Sequence, residues 1–137
     1  MVDDHQLVSA AVERLLLMVP DIEVVGLAGG GAEGFFLVGR VRPDVVLMDL
    51  SMPDGDGVEA TRAITTSFPT VRVLAFTGYA EPERVADAFD AGVTGYLLKA
   101  GNLDELVRAV RASARGERWL SPQAAVALRT LRPDAET

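Results

Sequence analysis

Val45-Val46-Leu47-Met48-Asp49-Leu50-Ser51-Met52-Pro53-Asp54-Gly55-Asp56-Gly57 decides how this chain folds. The apolar run Val45–Met48 suits a strand buried on both faces of a parallel sheet. It ends on a carboxylate. Pro53, Gly55 and Gly57 then impose loop geometry, so no helix starts before about Asp56. Asp49 therefore stands at the carboxyl end of a buried strand, the edge where open α/β sheets hold their ligands. A carboxylate there must be solvated, paired or bound to a cation, because a bare buried charge is strongly unfavourable. Capping of the loop is the plainer alternative, and the rest of the chain decides between the two.

Moving outward, strands alternate with helices. Apolar residues at helical spacing predict a helix from about His5 to Val19, stopped by Pro20. Ile22–Ala28 reads as a strand and Gly29-Gly30-Gly31 as a loop. A weak helix over Ala32–Arg42 carries Gly34 and Gly39 and ends at Pro43. Its neighbouring phenylalanines, Phe35 and Phe36, cannot both face the core, so one is expected to be partly exposed. Beyond Asp56 a helix is predicted as far as Pro69, then a strand over Val71–Phe76 that leads to Thr77-Gly78. A helix over Pro82–Ala91 is followed by a strand over Val93–Leu98 that ends on Lys99. The last elements are a helix from Leu103 to about Arg115 and a final helix capped by Ser121 with Pro122 at its first position. The tail Arg132–Thr137 is expected to fray. This order predicts a doubly wound parallel sheet with helices on both faces.

Composition narrows the function. The chain has 137 residues, 49% hydrophobic and 24% charged, enough for one domain with a real core. No apolar run reaches membrane-spanning length, and the acidic start is no signal peptide. The absence of Cys excludes a disulfide framework and a thiolate metal site, and the lone His5 excludes a multi-His site. These features fit a cytoplasmic protein. A net charge of −7 argues against nonspecific nucleic-acid binding by this chain.

In such a sheet the strands ending at Asp49, Thr77 and Lys99 bring a carboxylate, a hydroxyl and an ammonium to one edge, joined by Asp3 and Asp4. Gathered carboxylates repel one another unless a cation sits among them. Mg²⁺, a hard ion that prefers oxygen ligands, is the natural candidate. A lysine and a small hydroxyl donor beside them suit a visiting phosphoryl group. The set fits phosphoryl transfer to Asp49, where catalysis is mostly positioning and charge neutralisation.

Val2-Asp3-Asp4-His5, Pro43–Asp49 with Met52-Pro53 and Asp56-Gly57, Val73–Thr77 and Gly95–Lys99 together resemble the receiver domain of response regulators. The likeness is to the NarL/FixJ (LuxR-type) subfamily of two-component systems. It implies a flavodoxin-like fold, strand order 2-1-3-4-5, over residues 1–116, with 117–137 a linker-like helix and tail. It also implies that Asp49 accepts a phosphoryl group from a sensor histidine kinase. Asp4, Asp49 and the backbone carbonyl of Ser51 would bind Mg²⁺, with Asp3 helping through water. Lys99 and Thr77 would contact the phosphoryl group, and Tyr96 would switch with Thr77 to alter a protein-interaction face, for transcription regulation. No enzymatic activity is implied beyond self-phosphorylation and autodephosphorylation. A homodimer would use the Val85–Phe89 helix and the Tyr96 strand.

The chain departs from that pattern at its start, where only Met1 and Val2 stand for the first strand. Two interior strands would then lack a ladder partner, and unpaired buried backbone groups are expensive. Either those strands close up, a neighbouring chain fills the gap, or the natural protein begins upstream; any of these bears on Asp3 and Asp4 more than on Asp49. The helix-turn-helix domain usual in the subfamily is not within this sequence, which is expected to be either a stand-alone receiver or the front part of a transcription factor; this chain alone should not read DNA. Two rivals remain. One is a receiver-like interaction module that is never phosphorylated. The other is a dinucleotide-binding fragment, since Gly29-x-Gly31-x-x-Gly34 follows a predicted strand and Asp49 lies about twenty residues on.

Overall fold

Residues 1–53 and 56–131 are described by the computed structural model. The loop tip Asp54-Gly55 and the tail Arg132–Thr137 lie outside them. The elements run α1 (Gln6–Leu16), α2 (Gly31–Val41), β1 (Val45–Met48), α3 (Asp56–Ser67), β2 (Arg72–Thr77), α4 (Pro82–Ala91), β3 (Gly95–Leu98), α5 (Leu103–Ala114), β4 (Trp119–Leu120) and α6 (Pro122–Leu131). β1, β2, β3 and β4 lie side by side in that order, all parallel.

Alternation along each strand splits the interior into two cores. Val46, Met48, Val73, Ala75 and Tyr96 face one way, with residues of α2, α3, α4 and α6. Leu47, Leu74, Phe76 and Leu97 face the other, with α1 and α5. This two-sided burial is why the strands read as continuous apolar runs.

The first strand is reduced to one residue. Val2 bridges Ala28 on one side and Met48 on the other, both in parallel. Val2 N–H donates to Leu47 C=O at 2.8 Å, and Asp49 N–H donates to Val2 C=O at 2.9 Å. Val2 thus lies between the expected second strand and β1, in the 2-1-3 arrangement. The two flanks do not close up.

The strand expected over Ile22–Ala28 does not form; only Ala28 takes part in a bridge. Among the described residues only Val2 bridges this segment. Residues 22–26 alternate between half-buried and exposed, as on a strand. Beside them, however, lies no backbone to ladder with, and a strand without a partner is no strand. The segment is tied instead by Asp21, whose carboxylate accepts two 2.8 Å hydrogen bonds from the Arg111 guanidinium. That pairing holds the Asp21 carboxyl below its ordinary range. A depressed pKa stabilises the fold above the usual carboxylate range, and the contribution fades as pH falls through the folded value. An NMR titration should place the Asp21 midpoint below those of unpaired carboxylates, and Arg111→Gln should raise it. Identical midpoints in the two proteins would show the pair does not persist in solution.

Trp119-Leu120 forms β4, paired with Gly95 and Tyr96. The helix after it packs back onto the domain. Ala124 and Ala127 of α6 are buried in the same core as Val85 and Ala88 of α4. This packing buries the inward side of the expected dimer face. Val85, Ala88 and Tyr96 have no exposed surface, because α6 lies against α4. Of the adjacent phenylalanines, Phe35 packs on Phe68 and Phe36 is exposed beside Arg40.

The glycine run has a local cause. The N-terminus of α2 is already filled by the Asp56 carboxylate, which accepts from Gly31 N–H at 2.5 Å. A Cβ on Gly31 would meet that carboxylate, and one on Gly34 would meet Val2. The spacing that matches a dinucleotide fingerprint is thus explained by packing, and the anion position at the helix end is taken. Gly57 is tighter still, since a Cβ there would lie 2.3 Å from the carbonyl oxygen of Asp49. Gly57→Ala must move backbone next to the site and should lower the unfolding free energy by about 1–3 kcal/mol in urea denaturation. An unchanged midpoint would mean the Asp49 loop yields freely.

Candidate functional site

Three strand ends and one loop converge. β1 delivers Asp49 and β2 ends on Thr77. β3 hands on to Lys99, whose N–H donates to Thr77 C=O at 2.9 Å. The Val2 bridge places Asp3 and Asp4 beside them. Asp3, Asp49 and Thr77 are buried to within 2% of full enclosure.

Two buried carboxylates side by side demand positive charge. Lys99 supplies it, with Nζ 2.6 Å from Asp3 Oδ2 and 3.4 Å from Asp49 Oδ2. The other oxygen of each carboxylate faces backbone. Asp49 Oδ1 accepts from Ser51 N–H at 2.8 Å, and Asp3 Oδ1 accepts from His5 N–H at 2.8 Å. Both are Asx turns, which make a side chain hold its own loop two residues on. Burial pushes the Asp3 carboxyl up, but the Lys99 ammonium and the His5 N–H outweigh it and hold the group below its usual range.

The Lys99-facing oxygens, Asp3 Oδ2 and Asp49 Oδ2, are buried and accept no well-aligned hydrogen bond, so the lysine meets them as a point charge. Ligand atoms of Asp3, Asp4, His5 and Asp49 all fall within 4.8 Å of one another. Under-satisfied carboxylate oxygens gathered this closely fit a hard divalent cation. Asp4 is the outer member, its carboxylate 3.2 Å from His5 Nδ1.

Thr77 and Tyr96 lead away from the carboxylates. Thr77 Oγ1 shares a 2.5 Å hydrogen bond with Ser51 Oγ. Tyr96 is fully buried, and its hydroxyl donates to the Tyr79 carbonyl at 2.5 Å, on the segment that enters α4. Burial pushes the Tyr96 phenol up to about 12, so it remains a donor at neutral pH. The next link is backbone, with Ser121 N–H donating to Tyr96 C=O at 3.0 Å. Ser121 Oγ in turn caps α6 by accepting from Ala124 N–H.

The structure therefore brings Asp3, Asp49, Thr77 and Lys99 to one hollow, with Asp4 at its rim and Tyr96 one step behind. The sequence reading missed the Ser51 hydroxyl as the partner of Thr77 and the Tyr79 carbonyl as the partner of Tyr96. The place of Ser51, two residues past a strand-end Asp, was a signal for the turn but not for the direction of its side chain.

A family model described as the response regulator receiver domain matches residues 1–111. The response regulator protein VraR of Staphylococcus aureus is 41% identical over 128 residues, covering 93% of this chain and 61% of VraR. The chain thus spans less than two thirds of the length of the curated relatives it matches. A LuxR-family two-component response regulator from Aurantimonas sp. SI85-9A1 superposes with a TM-score of 0.89 at 36% identity, over 97% of this chain and 95% of that one. The isolated REC domain of RcsB from Salmonella enterica serovar Typhimurium, solved with the phosphomimetic BeF3−, gives 0.82 at 25% identity, over 93% and 94% of the two chains. A CheY-like receiver domain protein from Methanospirillum hungatei JF-1 shares the fold at 23% identity, with a TM-score of 0.76 over 84% of this chain and 90% of that one.

Proposed function

The chain belongs to the response-regulator receiver family, and on that footing we propose that it is a phosphorylatable receiver that takes a phosphoryl group onto Asp49 from a sensor histidine kinase. The convergence of Asp49 with Lys99 and Thr77 carries this reading. An Asp49 carboxylate oxygen attacks the phosphorus of a phosphohistidine. The new P–O bond forms as the P–N bond breaks, and the imidazole leaves. A carboxylate needs no general base, so the task of the chain is positioning and charge.

Asp4, Asp49 and the Ser51 carbonyl would hold Mg²⁺, with Asp3 helping through water; when bound, the ion supplies charge neutralisation on the phosphoryl oxygens. Lys99, now spread over two carboxylates, has an ammonium free to follow the added negative charge. The Thr77 hydroxyl, now on Ser51, gains a stronger acceptor in a phosphoryl oxygen and turns toward it. That movement opens space beside Tyr96, whose hydrogen bond to Tyr79 ties the site to the start of α4. A changed α4–α6 surface is the output. Regulation of transcription rests on similarity to LuxR-family regulators; no DNA contact is assigned to this chain, nor any catalytic role beyond its own phosphorylation and dephosphorylation.

Incubation with Mg²⁺ and acetyl phosphate is the direct test. Intact-protein mass spectrometry should record the gain of one phosphoryl group, absent without the metal and absent in Asp49→Asn. A native chain that stays unmodified while a related receiver is labelled in the same tube would favour the unphosphorylated interaction module.

A further inference from the structure

His5 stands at the rim of the acidic hollow, and the function proposed above gives it no task. It is the single histidine of the chain. It also occupies the N-cap position of α1, where a side chain ordinarily accepts from N–H groups of the first turn, yet its imidazole makes no such bond. The ring turns the other way. Nδ1 lies 3.2 Å from Asp4 Oδ1 and 3.3 Å from Asp3 Oδ1, while 63% of the side chain stays open to solvent. The backbone that carries it is fixed by the 2.8 Å hydrogen bond from His5 N–H to the buried Asp3 carboxylate.

The imidazole nitrogen and one carboxylate oxygen from each of Asp3, Asp4 and Asp49 lie within 4.8 Å of one another. Neighbouring ligands of an octahedral ion with bonds of ~2.1 Å stand about 3 Å apart, and opposite ones about 4.2 Å. The separation of Nδ1 from Asp4 is therefore that of neighbours in one coordination sphere. Asp49 Oδ2, buried and accepting no hydrogen bond, is the independent sign that the hollow is built for a cation.

What the imidazole changes is the choice of ion. Mg²⁺ prefers oxygen ligands, whereas a nitrogen ligand favours divalent ions of the first transition row. We infer that His5 Nδ1 is a metal ligand, which makes the hollow select a first-row divalent ion such as Mn²⁺ over Mg²⁺. The inference rests on the reading that a cation serves Asp49, and adds which class of cation that is. Asp4, Asp49 and the Ser51 carbonyl supply oxygens, and His5 takes one further position that water would otherwise hold. Nδ1 binds through its lone pair, which leaves the ring proton on Nε2.

Mn²⁺ is the probe, added to the full chain and to His5→Phe, which keeps a ring and the backbone N–H but lacks the nitrogen. Pulsed electron paramagnetic resonance of bound Mn²⁺ should show the nitrogen modulation of a coordinated imidazole in the native chain and none in the variant. Competition titrations should find Mn²⁺ affinity about tenfold lower in the variant, with Mg²⁺ affinity changed less than about twofold. A histidine that merely holds Asp3 and Asp4 in place would weaken both ions alike, and that result would overturn the inference. So would bound Mn²⁺ without nitrogen modulation in the native chain, a readout that does not depend on the variant. If Mg²⁺ and acetyl phosphate still add one phosphoryl group in that case, the oxygen site and the phosphorylation reading stand and only the histidine ligand falls. Absence of saturable binding of either ion would overturn both.

Discussion

Exchange of Lys99 for methionine lowers the unfolding free energy by about 2–4 kcal/mol in chelator at neutral pH. Lys99 Nζ is the ion-pair partner of both Asp3 Oδ2 and Asp49 Oδ2, at 2.6 and 3.4 Å. Methionine keeps the volume and removes the charge, leaving two buried carboxylates facing each other. The figure is set below the full penalty for a broken buried pair because the lysine keeps 20% of its side-chain surface in water. The pH dependence follows from the sign of the shift. In the native protein the Asp3 carboxyl is held low, so its contribution is present above the usual carboxylate range and lost on acidification. In the variant the two carboxylates repel each other without a counter-charge, so the deficit is greatest near neutrality and shrinks on acidification as a proton takes the place of the lysine. Mg²⁺ should return part of the loss by binding the folded state alone. Urea denaturation with chelator, then with Mg²⁺, reads all of this. A variant as stable as the native chain in chelator would mean that water already screens the pair.

Removal of residues 117–137 should also be severe, on the order of 3–5 kcal/mol, with aggregation at working concentrations. The cut follows the boundary that the sequence suggested between domain and linker. It takes away β4, which pairs with Gly95 and Tyr96, and α6, whose Ala124 and Ala127 are buried against the rest of the core. Val85, Ala88 and the Tyr96 ring, none of them exposed in the intact chain, would face water. Thermal melts and size-exclusion chromatography of the shortened chain test this. A monomer of native melting temperature would make 117–137 a true linker. Ser121→Ala, which removes only the α6 cap, offers a milder step of about 1 kcal/mol in the same direction.

The legible parts of the sequence were those in which a local pattern and its tertiary cause coincide. Val45–Met48, Val73–Phe76 and Tyr96–Leu98 read as strands because burial on both faces needs unbroken apolar runs. The helix expected from about Pro82 to Ala91 forms over that range, since Pro at its first turn and Gly92 after its end are backbone signals with nothing to compete. The residues of the hollow were legible for a related reason. Chain direction in a parallel sheet puts every strand's carboxyl end on one edge, so knowing where Asp49, Thr77 and Lys99 stand along their strands places them together.

Where the reading went astray, the deciding partner lay far off in the chain. Ile22–Ala28 has a strand's side-chain pattern, but a strand needs a neighbour, and here the neighbour is Val2 alone. β4 was missed because two residues carry no periodicity. Its one herald was Gly95, where a Cβ would lie 2.6 Å from the Trp119 carbonyl oxygen. The glycines at 29–34 also match a dinucleotide-binding spacing, and the Asp56 carboxylate that fills the end of α2 sits 25 residues away from Gly31.

Alternation, chain direction and the order of Asp49, Thr77 and Lys99 were enough to determine a parallel α/β layer with an acidic, lysine-bearing edge, because each is a property of neighbours along the backbone. Only the tertiary structure decided that Lys99 lies nearer Asp3 than Asp49, that Thr77 rests on Ser51, and that α6 covers α4. Those outcomes depend on which distant surfaces meet, and pairing across the chain is set by the packing of the whole core.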